Sequence, residues 1–376
     1  MKLKHIKELD GIRAIAALMV MLFHFSGQIP ATNAFNQLFR KIAPYGQTGV
    51  TLFFVLSGFL ITRILLSTKE NNNFFKTFYL RRALRIFPLY YLYLIIELII
   101  VPSISKGPTI ESNTWYFWFY LQNFAFTFDW PANGPNHYWS LAVEEHFYLF
   151  WPFLVYFLNE KNIKKLCISF ILLSLLIRVM LMMNGYGGFY FTFTNIDSLA
   201  IGGLMALFER EGKISGVTKV YFAGFVVLFI PLGIINWFVS GKGLDIVQLF
   251  KTPITALAYF FLILFAINTK KGRAINSFLT GKPLTFLGKI SYGLYVFHPL
   301  CFTYCATYIN LNNWVLNLLL QTSITIVVAA LSFNFFESLF LNLKSKFEYK
   351  NSNTAPVPAG KLSLVQSREV GIESNK

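Results

Sequence analysis

Apolar runs long enough to cross a bilayer recur ten times along the chain, at roughly 9–28, 48–67, 79–101, 139–158, 165–183, 196–209, 217–236, 249–268, 289–308 and 314–340. About 20 apolar residues in a helix span the hydrocarbon core of a membrane. In lipid every backbone N–H and C=O must be satisfied internally, so such runs can only be helices. The expected fold is therefore all-α, a polytopic integral membrane bundle of about ten transmembrane helices. The run at 196–209 is short and is expected to tilt or to enter only partway. Residues 1–343 are expected to form one membrane domain. Residues 344–376 are polar and hold Pro, Gly, Ser and Asn, and are expected to be a short disordered cytoplasmic tail. The first run starts almost at once and lacks an A-x-A-like site, so no cleavable leader is expected.

Charge sets the orientation. Only 13% of residues are charged, about half the fraction of a soluble domain, yet the net charge is +16. With ten spans, 27 of the 33 Lys and Arg fall on the side that holds both termini and five on the other, while Arg178 lies inside a span. The positive-inside rule then places both termini in the cytoplasm. This asymmetry accounts for the basic charge and argues against nucleic acid as a partner. Cys167, Cys301 and Cys305 all sit in apolar runs and read as core residues, neither disulfides nor metal ligands.

Polar residues inside the runs carry the chemistry. Leu9 to Phe25 is an apolar helix with Arg13 near its start and His24 near its end. Eleven residues are about three turns, so the two side chains point within roughly 20° of each other, about 16 Å apart along the axis. Ala17 and Val20 lie between them and are expected to leave a groove on that face. A histidine within a span is costly unless it has a partner or a task. Arg81, Arg82 and Arg85 stand together where the third run leaves the cytoplasm, followed by Pro88 and a tyrosine-rich wall. Guanidinium groups bind phosphate bidentately, so this cluster suits a polyphosphate, with a lipid-facing flank as the plainer alternative. Ser57-Gly58, at the middle of the second run, is expected to serve close helix packing. The aromatic stretches at Trp115 to Phe119 and Phe124 to Trp130 read as an interfacial belt, with stacking on sugar rings as the alternative. Glu144, Glu145 and His146 fall one turn into the fourth run. Adjacent carboxylates cannot face one way, so one is expected to face the interior, where it would orient a histidine of a neighbouring helix. Arg178 and Asp197 read as a structural ion pair. His298 lies near mid-span, followed by Pro299.

Seven stretches together resemble the acyltransferase-3 family of bacterial membrane O-acyltransferases: LDGIRAIAALMVMLFH, GVTLFFVLSGFLI, RRALRIFPLYY, YWSLAVEEHFYLFWP, NIDSLAIGGLMA, SYGLYVFHPL and FNFFES, in order from residue 9 to about 340. The resemblance implies His24 as the catalytic histidine with Arg13 its companion, and Arg82 and Arg85 as the family's paired arginines. Two departures weaken other assignments. Asn195-Ile196 stands before Asp197 where the family often has a basic residue, and Leu339 stands where a proline often follows Glu337. Some members carry a fused extracellular esterase-like domain, for which this chain is expected to be too short.

The function implied is transfer of an acyl group, acetyl by the family's habit, from cytoplasmic acyl-CoA to a hydroxyl of an extracytoplasmic glycan or glycolipid. The expected location is the bacterial inner membrane. The donor phosphates are expected on Arg82, Arg85 and Arg13. His24, held by Glu144 or Glu145, is expected to act as the base. His298, Tyr292 and Trp139 are candidate substrate contacts. Acyl-CoA is a substrate here, so neither a permanently bound cofactor nor a metal is expected, and nothing in the sequence sets an oligomeric state. The competing class is a transporter or flippase of a lipid-linked glycan. Such folds often show internal repeats and paired broken helices, and none is visible here.

Overall fold

The computed structural model describes residues 5–105, 113–239, 245–309 and 311–349. Every expected span is a helix, and the described residues contain no strand. In chain order the main helices are α1 (Lys7–Phe25), α2 (Ala34–Ile42), α3 (Thr48–Thr68), α4 (Phe74–Ile95), α5 (Trp139–Phe157), α6 (Glu160–Met183), α7 (Thr192–Arg210), α8 (Thr218–Val239), α9 (Asp245–Asn268), α10 (Ser291–Tyr308) and α11 (Trp314–Leu331). Seven segments are long and apolar enough to cross a membrane by length and composition. They contain α1, α3, α4, α6, α8, α9 and α11. The other three expected spans, α5, α7 and α10, fall short because they carry the polar side chains that point inward. Their outward faces remain apolar, as with Leu149, Phe150 and Phe153 of α5. This is a polytopic helical membrane fold.

α2 was not expected. It is amphipathic, exposing Phe35, Leu38 and Ile42 on one side, as suits a helix lying along an interface. Two short helices, Ala274–Leu279 and Lys282–Lys289, tuck under the start of α1.

The stretch read as an aromatic belt is partly folded into the bundle. Trp115, Phe119 and Trp130 are exposed, as a belt requires, but Phe117, Gln122 and Asn123 are fully buried. The Tyr90 hydroxyl donates to Phe117 O at 2.6 Å and Gln122 Nε2 donates to Tyr138 O at 2.8 Å. Non-helical backbone is tolerated at this depth only where protein satisfies its polar groups, and these two bonds do so. Residues 106–112 lie outside the described residues. Of the expected tail, residues 344–349 pack against α4, where Arg81 Nη1 donates to Lys344 O and Phe347 O, and residues 350–376 lie outside the described residues.

α3 and α7 cross at glycines. A Cβ on Gly58 would sit 1.9 Å from Leu199 O, and one on Gly202 would sit 2.1 Å from Val55 O. Backbone meets backbone at both points, so no flexible side chain can give way. Gly58→Ala is expected to force the helices apart at a cost of roughly 1–3 kcal/mol, read as a lower melting temperature of the purified protein. An unchanged melting temperature would mean that the crossing is looser than drawn.

Candidate active site

The charged ends of α1, α3 and α4 meet around a cavity of about 1190 Å³. Arg13, Arg63, Arg81, Arg85, Lys289 and Lys344 line it, against the carboxylates Asp10, Glu337 and Glu348. Most of these cations are already engaged. Arg13 Nη1 donates to Asp10 at 3.0 Å, Arg63 Nε to Glu209 at 2.7 Å, and Lys289 lies over the Phe333 ring. Arg81 is spent on the two carbonyls named above. Arg85 is exposed into the cavity and has neither hydrogen bond nor ion pair among the described residues. It is the guanidinium left free to take an anion.

Arg82 departs from expectation. It does not line this cavity but lies over the Tyr148 ring of α5, 5.1 Å from its centroid. Helix geometry gives the reason: Arg81 and Arg85 are four residues apart and share a face within about 40°, while Arg82 is turned about 100° from Arg81. The three side chains of Arg13, Arg82 and Arg85 still lie within electrostatic reach of one another.

Above the basic cavity is a small void of about 60 Å³, lined by Glu144, Ser140, Tyr292 and Tyr295 among others. Tyr292 lines both spaces and donates its hydroxyl to Ile86 O at 2.9 Å. Glu144 does not reach His24. It accepts a hydrogen bond from the Ser57 hydroxyl, which in turn accepts one from Tyr148 at 3.1 Å. Ser57 is thus more than a packing residue beside Gly58. Glu145 Oε1 is buried without a hydrogen-bond partner among the described residues, so neither carboxylate holds the histidine.

The partner of His24 is another histidine. His298 is fully buried on α10, and its Nε2 lies 3.1 Å from His24 Nδ1, with ring centroids 4.8 Å apart. His298 Nδ1 is 3.1 Å from Leu294 O, and His24 Nδ1 is also 3.0 Å from Val20 O. Carbonyl oxygens only accept, so in the neutral rings His298 carries its hydrogen on Nδ1 and presents a lone pair at Nε2. His24 Nδ1 then donates. That assignment leaves His24 Nε2 as a bare lone pair, which is the form a general base requires. His24 itself is exposed.

His24 opens into a second cavity, of about 490 Å³, at the other end of the bundle. His137, Tyr93, Glu97 and Asn136 line it, together with Pro299, the residue after His298. The His137 ring meets that of His298 edge-on, with centroids 5.5 Å apart, and lies tilted 5.5 Å from that of Tyr295, and its Nε2 lies 3.2 Å from Val296 O. Tyr292, Tyr295 and His298 thus descend α10 at three-residue steps between the two cavities. The open groove expected along α1 is absent, because Ala17 and Val20 are packed at 1% exposure each. Trp139 lines none of these three spaces. It is buried between Phe54, at 6.0 Å, and Phe189, at 4.7 Å, and serves the core. Arg178 and Asp197 form the expected buried pair at 2.6 Å.

The fold and this site define a polytopic membrane protein with a polar cavity at each end of the bundle. The family model described as an acyltransferase domain matches residues 6–336, and the chain belongs to that family. Peptidoglycan O-acetyltransferase OatA of Listeria monocytogenes is 29% identical, over 93% of this chain and 58% of that protein. A putative peptidoglycan O-acetyltransferase, YrhL of Bacillus subtilis, is 28% identical over 89% of this chain and 54% of that protein. The O-acetyltransferase OatA of Staphylococcus aureus is 28% identical over 89% of this chain and 57% of its own length. The chain thus spans a little over half the length of these relatives. No solved structure matches it.

Proposed function

We propose that this chain transfers an acyl group from a coenzyme A thioester, taken up on the cytoplasmic side, to a hydroxyl of a glycan or glycolipid on the opposite side of a bacterial inner membrane. One observation carries the reading: a basic cavity with an unpartnered arginine and a cavity with a bare imidazole nitrogen lie at the two ends of one column of α10 side chains. Coenzyme A is a polyphosphate with a long thin arm, which suits the first cavity and the small void above it. Likeness to relatives named as peptidoglycan O-acetyltransferases supports acetyl as the group and a cell-wall glycan as the acceptor.

In the reaction the phosphates rest on Arg85, with Arg13 beside it, and the thioester reaches the level of His24. The acceptor oxygen attacks the thioester carbonyl while His24 Nε2 takes its proton. The C–S bond breaks, and the leaving thiolate takes the proton back, giving an ester, free coenzyme A thiol and neutral His24. His298 holds the tautomer throughout.

The direct test is thiol release. Purified protein given acetyl-CoA and an acceptor glycan is expected to liberate free thiol in step with glycan acetylation. A carrier that only moves a lipid-linked glycan leaves the thioester intact, and that result would end the enzymatic reading. Orientation has its own test. The three resident cysteines are buried, so an impermeant thiol reagent applied to cells is expected to label a cysteine placed at Asn113 and to spare one at Asn72. The reverse pattern would put the donor cavity on the wrong side.

A further inference from the structure

A separate cavity, of about 290 Å³, lies where the start of α3, the end of α6 and the start of α9 come together, beside the connection from α6 to α7. It shares no lining residue with the basic cavity, the small void or the His24 cavity. Arg178 and Lys251 line it, and among the described residues no Asp or Glu does. Arg178 is only 5% exposed. Its Nη2 donates to Asp197 and to Thr194 O, but its Nη1 is buried with no hydrogen-bond partner among the described residues. The Lys251 ammonium has neither ion pair nor hydrogen bond among the described residues. Asp197 balances Arg178, so the Lys251 charge stands uncompensated in the lining. A lysine near a helix end can snorkel to water, but the buried Arg178 nitrogen cannot, and both border one space. Unpaired cationic donors between spans are costly and point to a missing acceptor.

We propose that this cavity binds a phosphate anion, carried by a membrane lipid headgroup or free, between Lys251 and Arg178. A phosphate has only acceptor oxygens to offer, and these two cations have only donors. Gln47, Thr51 and Thr252 add uncharged donors around the same space. Met182, Tyr186 and Phe189 also line it and are partly exposed, so apolar surface borders the charged groups. Basic pockets between membrane helices take lipid headgroups in this way, with the glycerol and first acyl carbons against the protein. Because α3, α6 and α9 all contribute, the bound anion ties three spans together. The site needs neither the acyl donor nor His24, so it stands apart from the transfer reading.

The experiment is calorimetry on the purified full-length chain in detergent, titrated with dioctanoyl phosphatidylglycerol, dioctanoyl phosphatidylcholine and inorganic phosphate. Phosphatidylglycerol is expected to bind at least about tenfold more tightly than phosphatidylcholine, whose trimethylammonium brings a cation beside Lys251. Lys251→Gln keeps a polar side chain and removes the charge. It is expected to weaken whichever phosphate binds by about tenfold or more. Arg178→Lys keeps a cation for Asp197 and withdraws the second guanidinium nitrogen, with a similar loss expected. Truncating Arg178 would instead strand a buried carboxylate, so the lysine variant is the usable one. Arg40→Gln removes an exposed cation on α2, outside the cavity, and is expected to leave binding unaltered. The melting temperature of each variant checks that it folds. Tighter binding of phosphatidylglycerol than of inorganic phosphate names a lipid as the occupant, and the reverse names a free phosphate. Binding of neither, an affinity unchanged in both Lys251→Gln and Arg178→Lys, or a loss in Arg40→Gln as large as in Lys251→Gln would each overturn the site.

Discussion

His24→Ala is expected to abolish acyl transfer while leaving membrane insertion and donor binding intact. Loss of a general base costs typically about 10²–10⁴ in rate, which brings turnover near background. The structure sharpens this by naming the atom. On the proposed reading the base is Nε2, because Nδ1 is occupied by His298 Nε2 and Val20 O. His298→Ala is then expected to be impaired as well, though less. It leaves the imidazole of His24 in place and removes only the acceptor that fixes its tautomer, and orienting partners of this kind cost about 10- to 100-fold. Turnover of the wild type should fall as the medium is acidified, since imidazolium cannot accept a proton. Near-normal turnover in His24→Ala with an inactive His298→Ala would move the chemistry to α10.

Arg85→Ala is expected to raise the apparent KM for the acyl-CoA donor. A charge-assisted contact to phosphate is worth on the order of 1.5–3 kcal/mol, or roughly 10- to 150-fold. Lysine should rescue in part only, because it lacks the planar fork. Arg82→Ala is the informative companion. Its guanidinium covers Tyr148 and not the cavity, so it should disturb the Ser57–Glu144–Tyr148 cluster more than donor affinity. An equal rise in KM for both variants would show that the donor reaches deeper between α4 and α5 than the basic cavity extends.

How much of this was legible in the residues follows from what each depends on. The ten helices were legible because a bilayer admits little else, and α1 with Arg13 and His24 at its two ends was legible because helix period alone fixes that face. The glycine crossing of α3 on α7 followed from Ser57-Gly58 only in part, since Gly202 supplies the other half from 144 positions on. Partners across helices were not legible. His24 meets His298, 274 residues away, and not the carboxylates at 144 and 145. His137 and Glu97 were passed over. One stands before a span and the other within one, and nothing local marks either as facing His24's cavity. For Glu97 a single acid in an otherwise apolar run was the available signal. Trp139 opens the same helix as the acidic pair, but its ring packs in the core while Glu144 faces the small void.

The central claim is that donor and acceptor meet at His24 from opposite faces of the membrane. The measurement that tests it most directly uses proteoliposomes of one protein orientation, with N-acetylglucosamine tetramer trapped inside and acetyl-labelled coenzyme A added outside. When the basic cavity faces outward, label is expected on the trapped sugar, and His24→Ala is expected to stop it. Label found only on sugar supplied on the same side as the donor would contradict the claim.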